Sequence, residues 1–125
     1  MFIRTNPNPA SNLVGDCVIR AISILTNKSW DYVYDEIALQ GKLMYDMPSS
    51  NAVWGAYLHE EGYKRKVIPD TCPNCYSIYQ FCEDHPRGKY LLATGTHVVT
   101  VIDGDYYDTW DSGDEVPIYY FTKEE

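Results

Sequence analysis

From Cys17 to Leu25 the chain is apolar almost without a break, with only Arg20 and Ser23 interrupting Val18, Ile19, Ala21, Ile22, Ile24 and Leu25. A helix apolar on every side leaves no face for water, so this segment is predicted to form a buried central helix. The pattern then turns amphipathic. Trp30, Val33, Tyr34 and Ile37 recur at i, i+3, i+4 and i+7 behind Ser29, a good N-cap, and Asp31 suits the positive helix end; Gly41 is the expected stop. A third helix is predicted after Pro48, capped by Ser49 or Ser50, with Val53, Trp54, Tyr57 and Leu58 on one side and its end at Gly62. A fourth is expected from about Cys75 to His85, burying Ile78, Phe81 and Cys82 and closed by Pro86 and Gly88.

Beyond Gly88 the periodicity changes from helical to strand-like. Segments 89–94, 97–102, 105–110 and 116–121 are rich in Val, Ile, Thr and Tyr, and 66–68 is short enough to add one more strand. Asp103-Gly104 between two of these runs is a strong two-residue hairpin signal, because a type I′ turn needs positive φ. Residues 1–15, with Pro, Asn, Ser and Gly, read as an extended lead-in to the first helix. Helices first and an antiparallel sheet second indicate an α+β fold, with the N-terminal helices packed on a C-terminal sheet.

A chain of 125 residues is the size of one domain, 1–125, with room for one core. A formal charge of −8, with no basic cluster beyond Lys64, Arg65 and Lys66, argues against nucleic acid or an anionic membrane as partner, since both require neutralised phosphates. The segment 1–10 precedes no apolar run of the kind a secretory signal carries, and no stretch approaches a membrane span, so a cytoplasmic location is expected. The four cysteines are accordingly expected to be reduced thiols.

Three residues could carry chemistry. Cys17 opens the buried helix directly after Gly15 and Asp16, where unpaired backbone N–H groups and the helix dipole favour the reactive thiolate; the plainer reading is a small core residue. His97 opens a strand about 80 residues downstream, as a base must when it is adjacent in space but not in sequence. His59, beside Glu60 and Glu61, is expected in solvent, and His85 at a helix C-terminus. With Asp103 and Gly104 as the turn, Val101 faces Tyr106, Val99 faces Asp108 and His97 faces Trp110. Asp108 then lies one diagonal step from His97 on the same face, able to orient the imidazole, whereas Asp111 points to the opposite one.

Gly15-Asp16-Cys17 opening an apolar helix, Gly95-Thr96-His97-Val98-Val99 on a strand and Tyr107-Asp108 on its partner resemble the papain-like cysteine peptidase superfamily. The likeness is to small bacterial and phage-type members and to the peptidase domains that trim bacteriocin leader peptides. The resemblance implies Cys17 as nucleophile, His97 as base and then acid, Asp108 as orienter, a peptide or protein substrate, and no cofactor. Where the superfamily usually has a Gln lining the oxyanion hole, this chain has Ser11 and Asn12. Asn12 can donate an N–H in its place, with the Cys17 N–H as second donor. Val18 stands where the leader peptidases have Gly. A binding module of the same fold and a thiol acyltransferase remain the alternative functions, and the oligomeric state is not legible.

Cys72-Pro-Asn-Cys75 followed by Cys82 and His85 offers four potential zinc ligands. Helical periodicity gives Cys82 and His85 a packing role instead, so no metal is assigned. Trp30, Trp54, Tyr57 and Trp110 fall at helical or strand spacing and are expected in the core before a substrate groove. Arg20, alone in the buried helix, is expected to pair with an acid such as Asp16 or Asp35.

Overall fold

Asp103 and Gly104 adopt φ of 50° and 82°, the two positive values a type I′ turn demands, and fold the central hairpin of the sheet. The computed structural model describes residues 1–123, whose elements run β1 (Phe2–Arg4), α1 (Cys17–Thr26), α2 (Trp30–Met44), α3 (Asn51–Glu60), β2 (Lys64–Val67), α4 (Ile78–Asp84), β3 (Lys89–Ala93), β4 (Val98–Ile102), β5 (Asp105–Asp108) and β6 (Tyr119–Thr122). The fold is α+β, and the strands form one six-stranded sheet in the order β1-β5-β4-β3-β6-β2. In the hairpin, Val101 lies opposite Tyr106 and Ile102 opposite Asp105, the register expected from the turn.

Strand alternation divides the apolar residues between the two faces of the sheet. Leu91, Ala93, Val98, Tyr119 and Phe121 pack with α1, α2 and α3 around Ile22, Leu25, Ile37, Trp54 and Leu58. Tyr90, Leu92, Val99 and Val101 face the other way and pack with Ile78, Phe81 and Cys82 of α4. The single core expected from the sequence is therefore two half-cores, because the sheet is apolar on both faces and α4 covers the side that the first three helices leave open. α1 lies against the sheet as predicted, and Thr100, fully buried on β4, donates to the Ala21 carbonyl at 2.5 Å.

Several boundaries differ from expectation for local reasons. α2 runs on to Met44 because Tyr45 in the left-handed region closes it, and Gly41 is a close approach instead of a stop: a Cβ there would lie 2.9 Å from the Asp46 carbonyl oxygen. α4 begins at Ile78, since Ser77 and Gln80 form a reciprocal capping box. The last strand starts at Tyr119, after Pro117, which has no N–H to give to a ladder. The lead-in contains β1, which pairs parallel with β5, so the sheet is mixed and not wholly antiparallel. A three-residue strand is too short to show alternation in the sequence.

The expected reduced state holds for Cys17 and Cys82 alone. Cys72 and Cys75 are joined by a disulfide, the turn at Pro73-Asn74 bringing their Cα atoms to 4.4 Å. His85 caps the end of α4 with its Nδ1 at 2.9 Å from the Phe81 carbonyl oxygen and its ring stacked on Phe81. Among the described residues no group of three or more His, Cys, Asp or Glu gathers as a metal site, and no helix is long and apolar enough to cross a membrane.

Candidate active site

Three separate elements meet at one end of the sheet. Cys17 is the first residue of α1, so its N–H has no intrahelical acceptor and its thiol sits at the positive end of the helix dipole. His97 immediately precedes β4 in a tight reversal, where Thr94 Oγ1 accepts the His97 and Thr96 N–H groups at 2.9 and 3.2 Å and the Thr94 N–H donates to the His97 carbonyl at 2.8 Å. Asp108 ends β5. The β4–β5 ladder stops at Thr100 and Tyr107, so His97 and Asp108 lie just past its last pair.

The imidazole stands between the other two. Its Nε2 is 2.6 Å from Asp108 Oδ2, and the ring shares the walls of the cleft with the Cys17 thiol, near enough for each to shift the other's titration. With Nε2 held by the carboxylate, Nδ1 is the nitrogen that faces sulfur. Asp108 is itself fixed from every side: Oδ2 also accepts from Ser112 Oγ at 2.8 Å, while Oδ1 accepts from the Thr109 N–H at 2.8 Å and from Arg20 at 3.4 Å. Trp110, 44% exposed, lies with its ring centroid 4.9 Å from that of His97, so an indole covers the imidazole while remaining open to a ligand. Asp111 turns away; it accepts from the Tyr106 hydroxyl and the Gly113 N–H.

Burial and hydrogen bonding oppose each other at these groups, and the hydrogen bonds prevail. Burial alone would lower the His97 pKa, but donation to Asp108 and the bond with Cys17 raise it to about 9. Burial would likewise raise the Cys17 pKa. The His97 hydrogen bond, the Val98 N–H directed at the sulfur, and the charges of His97 and Arg20 bring it below its ordinary value. Asp108 is also lowered, its desolvation outweighed by His97 and Ser112. Both shifts run toward the charged forms, thiolate and imidazolium, and a thiol shifted in that direction is the more reactive one.

The site opens into connected hollows. One of about 410 Å³ is walled by Leu13, Val14, Thr96, Thr109 and Trp110, and a smaller one of about 150 Å³ by Ser49, Asn51, Trp54 and Gly95; Cys17 and His97 line both. A third, of about 370 Å³, adjoins them through Gly15 and Val18 and is walled by Trp30, Tyr34 and Pro48. Of the aromatic residues expected in the core, Trp54 and Tyr57 are buried there, whereas Trp30 and Trp110 form groove walls. Asn12 is not brought to this cleft: it is exposed, its carbonyl accepts from Asn6, and it is absent from the walls of all three hollows.

Sequence reasoning missed the Val98 N–H, Ser112 and the contact between Arg20 and Asp108. The first two leave no trace in residue type or spacing. Arg20 does leave one, a lone cation in an apolar helix, and of the two acids expected for it, Asp16 and Asp35, it is Asp16 that pairs. No family model matches this chain, and no curated protein or solved structure matches it either.

Proposed function

We propose that this chain is a cysteine-dependent hydrolase that cleaves a peptide or isopeptide bond through Cys17, His97 and Asp108, with the papain-like resemblance of the sequence as background. The observation that carries the reading is the Asp108 carboxylate 2.6 Å from one imidazole nitrogen, with that imidazole and the Cys17 thiol walling the same cleft. The Cys17 sulfur attacks the carbonyl carbon, the π electrons move to the oxygen, and the His97 imidazolium gives its proton to the departing amine. Water then loses a proton to His97 as its oxygen attacks the thioester carbon, and collapse of that intermediate releases the acid and restores the thiolate. The Cys17 N–H at the helix end supplies one donor to the developing oxyanion. Asp108 keeps Nε2 as the donating nitrogen, so Nδ1 can exchange the proton with sulfur and leaving group.

Incubation with a mixed peptide library, followed by mass spectrometry, tests this. The wild-type chain is expected to generate new termini that Cys17→Ala does not, and to be alkylated by iodoacetamide at Cys17 in preference to its other free thiol, Cys82. Cleavage that persists in Cys17→Ala, or no selectivity for Cys17 in alkylation, overturns the assignment.

A further inference from the structure

Arg20 lies one turn beyond Cys17 as the one charged residue of its helix, and it is 7% exposed. Its NH1 contacts the Asp16 carboxylate and lies 3.4 Å from the Val14 carbonyl oxygen, while its NH2 reaches Asp108 Oδ1 at 3.4 Å. All three charged side chains are more than nine-tenths buried. A buried ion triad of this kind is a weak source of stability, because apolar residues of similar volume often hold a core equally well. Asp16 is also diverted from its ordinary work. It occupies the N-cap of α1, where its carboxylate would normally accept a first-turn N–H, yet it makes no such bond. Its oxygens face Arg20, the Trp30 indole N–H at 2.9 Å and the Asn8 amide at 3.3 Å.

We propose that Arg20 is a positioning residue of the candidate site, bridging Asp16, the neighbour of the nucleophile, to Asp108, the partner of the imidazole. The inference rests on the hydrolase reading of Cys17 and His97. The planar guanidinium offers donors in two directions, one toward the helix end and one toward the sheet end. It thereby holds the two layers at the spacing that sulfur and ring require, and turns Asp108 so that Oδ2 is presented to His97. Its positive charge near the sulfur also favours the thiolate. A residue serving only packing would do neither.

The test uses Arg20→Lys and Arg20→Gln, with the pH profile of Cys17 alkylation by iodoacetamide as the readout and circular dichroism as the check on folding. Lysine keeps the charge but cannot reach both carboxylates in the same plane. It still places a buried cation beside them, so Arg20→Lys carries the test if Arg20→Gln fails to fold. Folded Arg20→Lys is expected to shift the acid limb of the profile upward by about one pH unit, slowing alkylation near pH 6 by about tenfold. Arg20→Lys should retain more reactivity than Arg20→Gln. A wild-type profile in folded Arg20→Lys overturns the positioning role while leaving the hydrolase reading intact. Unselective alkylation in the wild-type chain overturns both.

Discussion

Replacing Asp108 by Asn removes the charge that holds the imidazolium while nearly preserving the shape of the side chain. The His97 pKa stands at about 9 against an ordinary 6.5, a difference of roughly 3 kcal/mol in favour of the charged ring that Asp108 and Cys17 supply against the opposing cost of burial. Without the carboxylate, only Cys17 opposes the cost of burial, and the ring is expected to titrate lower than in the wild-type chain. The thiolate then loses its counter-ion, and an unassisted thiol with a pKa of 9.0 is only about 1% ionised at pH 7. A more basic thiolate is intrinsically more nucleophilic, which offsets about half of that loss on a logarithmic scale. The net expectation is alkylation of Cys17 slower by about tenfold at pH 7 in Asp108→Asn, with the acid limb of its profile displaced upward. Turnover should fall further, because the amide can donate to Nε2 and leave the wrong tautomer facing sulfur. Asp111→Asn, which touches only Tyr106 and Gly113, should alkylate within about twofold of the wild-type rate. Urea unfolding must accompany both, since Asp108 also balances Arg20, and breaking a buried pair can cost about 3–5 kcal/mol. A folded Asp108→Asn with the wild-type pH profile would refute the reasoning.

Three further outcomes are expected. Cys82, buried and with its pKa pushed up to about 11 by desolvation, should react with iodoacetamide only on unfolding, and Cys72 and Cys75 only after reduction, as peptide mapping would read. Gly41→Ala should destabilise the fold by about 1–3 kcal/mol in urea, because its Cβ would meet the Asp46 carbonyl and Pro48 backbone, which cannot swing aside like a side-chain tip. In Cys17→Ala, His97 is left with Asp108 as its charged partner and its pKa still stands above the unfolded value. Its contribution to stability is therefore complete below about pH 6.5 and lost as pH rises through the folded value, no higher than about 9, which thermal melts across that window would record. Melting temperatures that stay level from pH 6 to 9 would show that Asp108 alone does not hold the proton.

The order of the main elements and the α+β class were legible because each rests on local signals: the apolar run of α1, the 3.6-residue spacing of α2 and α3, the enrichment in Val, Ile, Thr and Tyr after Gly88, and the Asp103-Gly104 turn. The turn did more than mark a hairpin. Side chains alternate strictly along a strand, so one fixed pair sets the register of all the others, and the contact of Asp108 instead of Asp111 with His97 was readable from it. What the sequence could not decide depends on residues far apart in the chain approaching within a few ångströms. The parallel docking of β1, the covering of the second sheet face by α4 and the placement of Asn12 outside the cleft are of this kind. So are the Val98 N–H at the sulfur and the reach of Arg20 to Asp108, 88 residues away. Such contacts are set by packing, not by propensity: a buried guanidinium must find carboxylates wherever the layers bring them, and which ones it finds is decided only when helix and sheet close together.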